Sequence, residues 1–494
     1  MDLDQILSKD NAKIYFVGIG GIAMSAAANI AAVLGYEVLG SDSSAVYSPA
    51  KDVLDEHQIN YFAGYEAKHI ADAQADLYVL SAGESESNPE VGEIIKKDLP
   101  RAGLAELLYE FGKDNLRVVV AGTHGKTTTT GLLGHLVKGL DNSSFMAGGV
   151  LQNYHSNFYK GDGHYFVLEG DEYREQFDDP TPKFQYYHPD ILVLTNLEYD
   201  HPDQFASLEE LEKEFGLLIE KMPADGLIVY NADNASLTRL VHESNVTSVS
   251  FGIDNEADFQ AVEIEYGDYT KIHVTNKFSK DQIVQLLGQT EDYQIQLPGK
   301  INVYNALAAI ATLRVLGFSR ENLVLDLLSY QGVKRRFEIV GSKNGITIVD
   351  DYAHHATAVR ETLEAARAKF FPVKDQGLKI EDGGRLWAVF EPHTFSRTKA
   401  TINDLAKSFG AADEVLISNI YPARENAKNP SITSEEVVKA VVQARGLPSK
   451  TTRLIHNKHQ AMGIIKAEAK PGDVVIVMAV GSFNRLAYEL KEIL

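Results

Sequence analysis

Between Val118 and Leu136 the chain reads VVVAGTHGKTTTTGLLGHL, with Gly125-Lys126-Thr127 placed like the end of a phosphate-binding loop. In the G-x-x-x-x-G-K-[ST] pattern the leading glycine would stand at position 120, which is Val120; here it is Gly122. An apolar strand before the loop and a helix after it suit a phosphate cradle built from backbone N–H groups. In such a cradle Thr123, His124 and Thr128 flank the phosphates, Lys126 neutralises the terminal ones of ATP, and Thr127 offers its hydroxyl to magnesium. The alternative is an ordinary capped helix start, because threonines in a first turn also serve orphan N–H groups.

A second glycine set, Gly18-Ile19-Gly20-Gly21-Ile22-Ala23, fits G-x-G-x-x-[GA] and is followed by Asp42 at the end of the next strand. Such glycines let a diphosphate approach a helix N-terminus, in either a nicotinamide enzyme or a nucleotide-sugar site. Glu169 in LEGDEYREQF and His201 in LTNLEYDHPDQF each follow an apolar strand. The carboxylate suits magnesium, the lone imidazole less so, and both could equally be surface or capping groups. Further on, VKRRFE, VDDYAHHATAV and FEPHTFSRT carry Arg335, Arg336, Asp350, Asp351, His354, His355, His393 and Arg397. An arginine pair clamps a phosphate or carboxylate, or is simply solvated; the acids and histidines form a small-substrate pocket or cap a helix.

These residues need rigid strand ends to hold them. KIYFVGIGGIAMSAAANIAAVLGYEVLGSD reads as strand, glycine turn, alanine-rich helix stopped at Gly35, and second strand: a β-α-β unit of a parallel sheet. The same opening recurs at residue 116 and near residue 333, and ADFQAVEIEYGDYTKIHVTN alternates as a β-meander. We therefore expect an α/β protein of three domains: a Rossmann-like parallel sheet over 1–112, a central P-loop ATPase domain over 113–332 and a Rossmann-like C-terminal domain over 333–494.

The 494 residues exceed what one core usually organises. A net charge of −22 without a basic run argues against a nucleic-acid partner, and zero cysteines exclude disulfides and thiolate chemistry. With no secretory leader and no long apolar span, a cytoplasmic protein with no membrane partner is expected.

Taken in order, GTHGKTTT, LTNLEYDH, NVYNALAAIA, RRFE and DDYAHH resemble the Mur ligase family, the ATP-dependent amino-acid ligases of peptidoglycan synthesis. The resemblance spans essentially the whole chain and accounts for the displaced glycine, since the family's ATP loop is the shortened G-T-x-G-K-[TS]. It implies ATP and Mg2+ as cofactors, and ATP contacts from Gly122 to Thr128 and from Asn302, Asn305, Arg336 and Asp351. Thr127, Glu169 and His201 would hold the metal, with Lys126, Glu169, His201, Arg336 and His354 as catalytic groups. UDP-sugar contacts would come from Gly18, Gly20, Gly21, Met24, Ser25, Asp42 and Ser81, and amino-acid contacts from His355, His393 and Arg397.

Within the family, GIGGIAMS, Ser41-Asp42, EPHTFSRT and IYPARE resemble the member that adds L-alanine to UDP-N-acetylmuramate. The segment from Glu169 to Pro189 instead resembles the recycling member that attaches a preformed tripeptide to the same UDP-sugar. Alanine addition is the expected reaction and tripeptide attachment the alternative, by a monomer or weak homodimer. The chain departs from the family at Ile301-Asn302, where His-Asn is usual, and at His354-His355-Ala356-Thr357, where HHPT is usual.

Overall fold

The computed structural model of the chain describes residues 3–200, 204–277, 290–371, 384–423, 425–428, 430–446 and 451–494. Three sheets follow one another along the sequence. The first comprises β1 (Lys13–Val17), β2 (Glu37–Asp42), β3 (Asn60–Ala63), β4 (Leu77–Leu80) and β5 (Arg101–Gly103), in the order β3-β2-β1-β4-β5. All of its pairings are parallel, as crossover helices require.

The second sheet is mixed. It holds β6 (Leu116–Ala121), β7 (Ser144–Leu151), β8 (Ser156–Tyr159), β9 (Tyr165–Gly170), β10 (Ile191–Leu194), β11 (Leu227–Asn231), β12 (Thr247–Gly252), β13 (Phe259–Glu265), β14 (Thr270–Asn276) and β15 (Thr290–Ile295). Their order is β15-β14-β13-β12-β11-β10-β6-β9-β7-β8, and the expected meander is the antiparallel β13-β14-β15 end. The third sheet, β16 (Glu338–Lys343), β17 (Ile346–Asp351), β18 (Leu386–Phe390), β19 (Glu414–Ile417), β20 (Thr452–Leu454) and β21 (Val474–Met478), runs β16-β17-β21-β18-β19-β20. Only its first pair is antiparallel.

Register decides which residues share an edge. Val120 lies opposite Glu169 and Ala121 opposite both Gly170 and Leu194, so the ATP-type loop, Glu169 and Thr195 emerge together at the carboxyl end of the central sheet. In the third sheet Asp351 and Phe390 flank Met478, which brings the DDYAHH and EPHTFSRT segments to one edge. Ligands of open α/β sheets bind at such edges.

The sheets are joined in two ways. The helix Ile22–Val33 buries alanines on nearly every side, because small residues let it pack both on its own sheet and toward β7 and β8. One apolar cluster consequently runs from the first sheet into the second. The third sheet has separate apolar clusters of its own. Around the cleft it meets the second through polar contacts, including Thr357 to Glu198 and Arg397 to Asp200.

Candidate active site

A cleft of about 790 Å³ opens where the three sheets converge, lined by Gly20 and Gly21 of the first, the 123–128 loop and Glu169 of the second, and Arg336, His354 and Arg397 of the third. The loop is shaped by glycine where other residues would be strained: Gly122 has φ +142° and Gly125 φ +80°. A Cβ at Gly122 would run into Thr195 Oγ1, and one at Gly125 into Asn305 Oδ1. Neighbouring polar groups fix the loop, with the Asn196 side chain accepting from His124 N at 2.8 Å and Thr195 Oγ1 donating to His124 O at 2.7 Å. Thr129 donates to Asn305 Oδ1 at 3.1 Å, and the Asn305 amide donates to Asn302 Oδ1 at 3.1 Å.

Lys126 opens the helix Lys126–Asp141 and reaches back over the loop, donating to Gly122 O at 2.5 Å and to the Glu172 carboxylate at 3.0 and 2.8 Å. Burial alone would depress its pKa, but Glu172, Asp171 and Glu169 outweigh that, and Lys126 stays protonated above the ordinary lysine value. Asp171 is in turn paired with Lys183 at 2.6 Å. Thr127 Oγ1 donates to Glu169 Oε1 at 2.8 Å, and Gly148 N donates to its Oε2 at 2.6 Å. Burial raises the Glu169 carboxyl against the pull of Lys126. A buried carboxylate that still gains from positive charge, beside a threonine hydroxyl, is the hard-oxygen donor set that Mg2+ takes. His201 lies outside the described residues.

The arginine pair is split by function. Both line the cleft, but Arg335, with φ +63°, is held by donating to Ala479 O at 2.6 Å and Val480 O at 3.0 Å, binding the third sheet's edge. Arg336 lines the cleft, with its guanidinium 4.9 Å from the Tyr352 ring centroid. Asp351 lines it too, yet both of its oxygens accept backbone N–H groups, from Phe337 at 2.7 Å and Ala353 at 2.6 Å, so it positions the Arg336 turn.

Arg397 and Asp200 form a buried ion pair at 2.9 Å, and Arg397 Nη1 donates to His393 Nδ1 at 3.3 Å. His354 donates from Nδ1 to Tyr352 O at 2.9 Å and lies 5.5 Å, ring to ring, from His393. Burial, reinforced by the Arg397 charge, holds His354 well below the usual histidine range, so it is neutral at pH 7. His355 caps the helix Ala356–Phe370 and faces His124 with 4.7 Å between ring centroids. Ile301, Asn302 and Asn305 line the cleft from the start of the helix Lys300–Val315.

The first sheet presents Gly20 and Gly21 to the cleft but keeps other expected contacts away from it. Met24 and Ser25 are buried, Ser25 donating to Ile22 O at 3.0 Å, because the helix packs that face into the interdomain core. Asp42 accepts from Gly20 N at 2.8 Å and Ser43 N at 2.8 Å and so shapes the glycine turn. Ser81 packs against Gly18, which has φ +81° and no room for a Cβ there. Glu172, Asp171, Lys183, Glu198 and Asp200 were not singled out by sequence reasoning. Glu172 and Asp200 stand in the same short stretches as Glu169 and His201, and the excess of acid there was the available signal.

Three family models cover the chain in order: "Mur ligase family, catalytic domain" over residues 13–115, "Mur ligase middle domain" over 120–313 and "Mur ligase, glutamate ligase domain" over 335–481. The UDP-N-acetylmuramate–L-alanine ligase of Clostridium acetobutylicum is 32% identical over 98% of this chain and 98% of its own. Among solved structures, the UDP-N-acetylmuramate-alanine ligase of Thermotoga maritima superposes with a TM-score of 0.75 at 23% identity, over 97% of this chain and 98% of the other. A murein peptide ligase from Psychrobacter arcticus 273-4 gives 0.70 at 27% identity, over 98% and 99%.

Proposed function

The chain belongs to the Mur ligase family, and from that premise we propose that it joins L-alanine to the lactyl carboxylate of UDP-N-acetylmuramate, with ATP as the energy source, in peptidoglycan synthesis. The observation that carries this reading is end-to-end similarity to an alanine ligase in a chain whose three sheets converge on one cleft.

A carboxylate is a poor acyl donor, so ATP supplies a phosphoryl group to make an acyl phosphate, which the amine then attacks to give the amide and phosphate. Bringing two anions together demands charge neutralisation and alignment more than covalent help. Lys126 and Arg336 supply fixed positive charge, and the loop N–H groups hold the phosphates. Mg2+ would be held by Thr127 and Glu169, where it would offset phosphate charge. Gly20 and Gly21 bring the start of the helix Ile22–Val33 to the cleft, where its N-terminus would favour the diphosphate of the UDP-sugar.

Arg397, oriented by Asp200 and His393, receives the amino acid's carboxylate and leaves the amine free. Neutral His354 accepts a proton from that amine as it attacks. The catalytic machinery sits in the carboxyl-edge loops of a chain with no helix long and apolar enough to cross a membrane among its described residues. We place the enzyme in the cytoplasm, as a monomer or weak homodimer acting on small molecules.

Attachment of a tripeptide to the same UDP-sugar is the second reading, favoured by the likeness to the murein peptide ligase and by the length of the 170–189 segment. Phosphate release by purified protein with ATP, Mg2+ and UDP-N-acetylmuramate separates the two. L-alanine should give the highest kcat/KM among L-alanine, L-serine, glycine and the tripeptide; a higher value for the tripeptide would reverse the assignment.

A further inference from the structure

Next to the Thr127–Glu169 pair, but separate from it, His124, Glu198 and His355 each offer one ligand atom, and those three atoms lie within 4.8 Å of one another. From this geometry we infer that the trio is a transition-metal site that takes a zinc-class divalent cation and clasps the ATP loop to the C-terminal sheet.

The donor set argues for the class of ion. Two imidazole nitrogens and one carboxylate oxygen match zinc's preferred ligands, with a water completing a tetrahedron, whereas magnesium prefers oxygen donors alone. The groups are also in the state a metal needs. His124 Nε2 is buried and has no hydrogen-bond partner among the described residues; it stands 3.4 Å from a Glu198 oxygen. His355 Nδ1 accepts the N–H of Thr357 at only 3.4 Å, a weak bond that a cation can displace. Among the described residues neither lysine nor arginine pairs with Glu198, while Thr357 Oγ1 donates to it at 2.9 Å and orients it.

The location gives the ion a consequence. His124 belongs to the loop that cradles phosphate and Glu198 follows β10, whereas His355 begins the helix Ala356–Phe370 of the third sheet's unit. The contacts around the cleft that tie that unit to the central sheet are polar, and the apolar clusters do not bridge them. An ion shared by the trio would hold the two parts together and stiffen a loop that must adjust to nucleotide. Zinc should accordingly inhibit turnover while magnesium supports it.

Binding is measured without nucleotide or UDP-sugar, so the outcome is independent of the ligase assignment. Full-length protein stripped with chelator is titrated with zinc chloride by calorimetry, and with cobalt chloride while the visible spectrum is followed. Wild type is expected to bind one ion at this site and to develop the intense visible bands of low-coordinate cobalt. His355→Ala and Glu198→Gln should each weaken zinc about 100-fold or more, since even outer partners of a metal ligand are worth roughly 10–100-fold. His164→Ala, at an exposed histidine, serves as the control. Melting curves of the stripped proteins establish folding, and Glu198→Gln, which preserves shape, carries the test if His355→Ala is unfolded. Absence of zinc binding by wild type, or equal affinity in wild type and Glu198→Gln, overturns the inference.

Discussion

Replacing Glu172 by glutamine should destabilise the free protein and make it respond more strongly to ATP. Glu172 is 3% exposed and grips Lys126 with both oxygens, at 3.0 and 2.8 Å. Removing one partner of a buried ion pair costs about 3–5 kcal/mol, because the other charge stays buried. Glutamine keeps one acceptor, and Asp171 and Glu169 still favour the charged lysine, so the lower end applies, about 3 kcal/mol. For a domain of about 200 residues that lowers Tm by roughly 6–12 °C. The phosphates of ATP then meet a lysine with no carboxylate to displace. MgATP at about 100 times Kd stabilises wild type by about 2.7 kcal/mol, and the variant should gain more at the same concentration. Thermal melts of both proteins over an MgATP series read the two effects together. An unchanged melting temperature without ATP, or an equal ATP-induced shift, would refute the idea that Glu172 holds the phosphate-binding lysine in readiness.

Gly122→Ala should weaken MgATP binding and lower stability by about 1–3 kcal/mol, because φ +142° is strained for alanine and its methyl meets Thr195; equal ATP titrations for both proteins would count against the loop assignment. Arg397→Ala should raise the alanine KM about 10–100-fold, the worth of one charge-assisted hydrogen bond, while the ATP KM holds; an unchanged alanine KM removes Arg397 from the amino-acid site. Glu175 bears on pH dependence. Burial raises its carboxyl to about 7, against the N–H groups of Ala105 and Glu106 that it accepts. An acid with a raised folded pKa gives stability that is complete below its unfolded pKa near 4.5 and lost as pH climbs to about 7, here up to roughly 3 kcal/mol. Glu175→Gln should flatten that decline in urea-midpoint measurements between pH 4.5 and 8, and identical pH profiles for the two proteins would show that Glu175 is not its source.

The parts of this molecule that could be read from sequence are those governed by local rules. Gly122, Gly125 and Gly18 marked the strand-to-helix turns because only glycine tolerates their positive φ, and alternation in 257–276 marked an antiparallel end to a parallel core. Side-chain partners were hidden because they are set by register between distant strands. Lys126 meets Glu172 only because β9 lies beside β6, and Arg397 meets Asp200 only because the third sheet faces the second across the cleft. The roles of Arg335 and Arg336 diverge through a backbone turn that identical residue types cannot disclose. The resemblance puts Met24 and Ser25 among the UDP-sugar contacts, yet the alanine-rich helix turns them into the seam between two sheets, a packing that one segment does not reveal.

The central claim is that this cleft activates the lactyl carboxylate of UDP-N-acetylmuramate as an acyl phosphate for attack by L-alanine. Substrate carrying oxygen-18 in that carboxylate, incubated with ATP, Mg2+, L-alanine and the enzyme, tests it in one mass spectrum. The account predicts one labelled oxygen in each inorganic phosphate released, matched mole for mole by UDP-N-acetylmuramoyl-L-alanine. Label recovered in AMP, or phosphate released unlabelled, would contradict it.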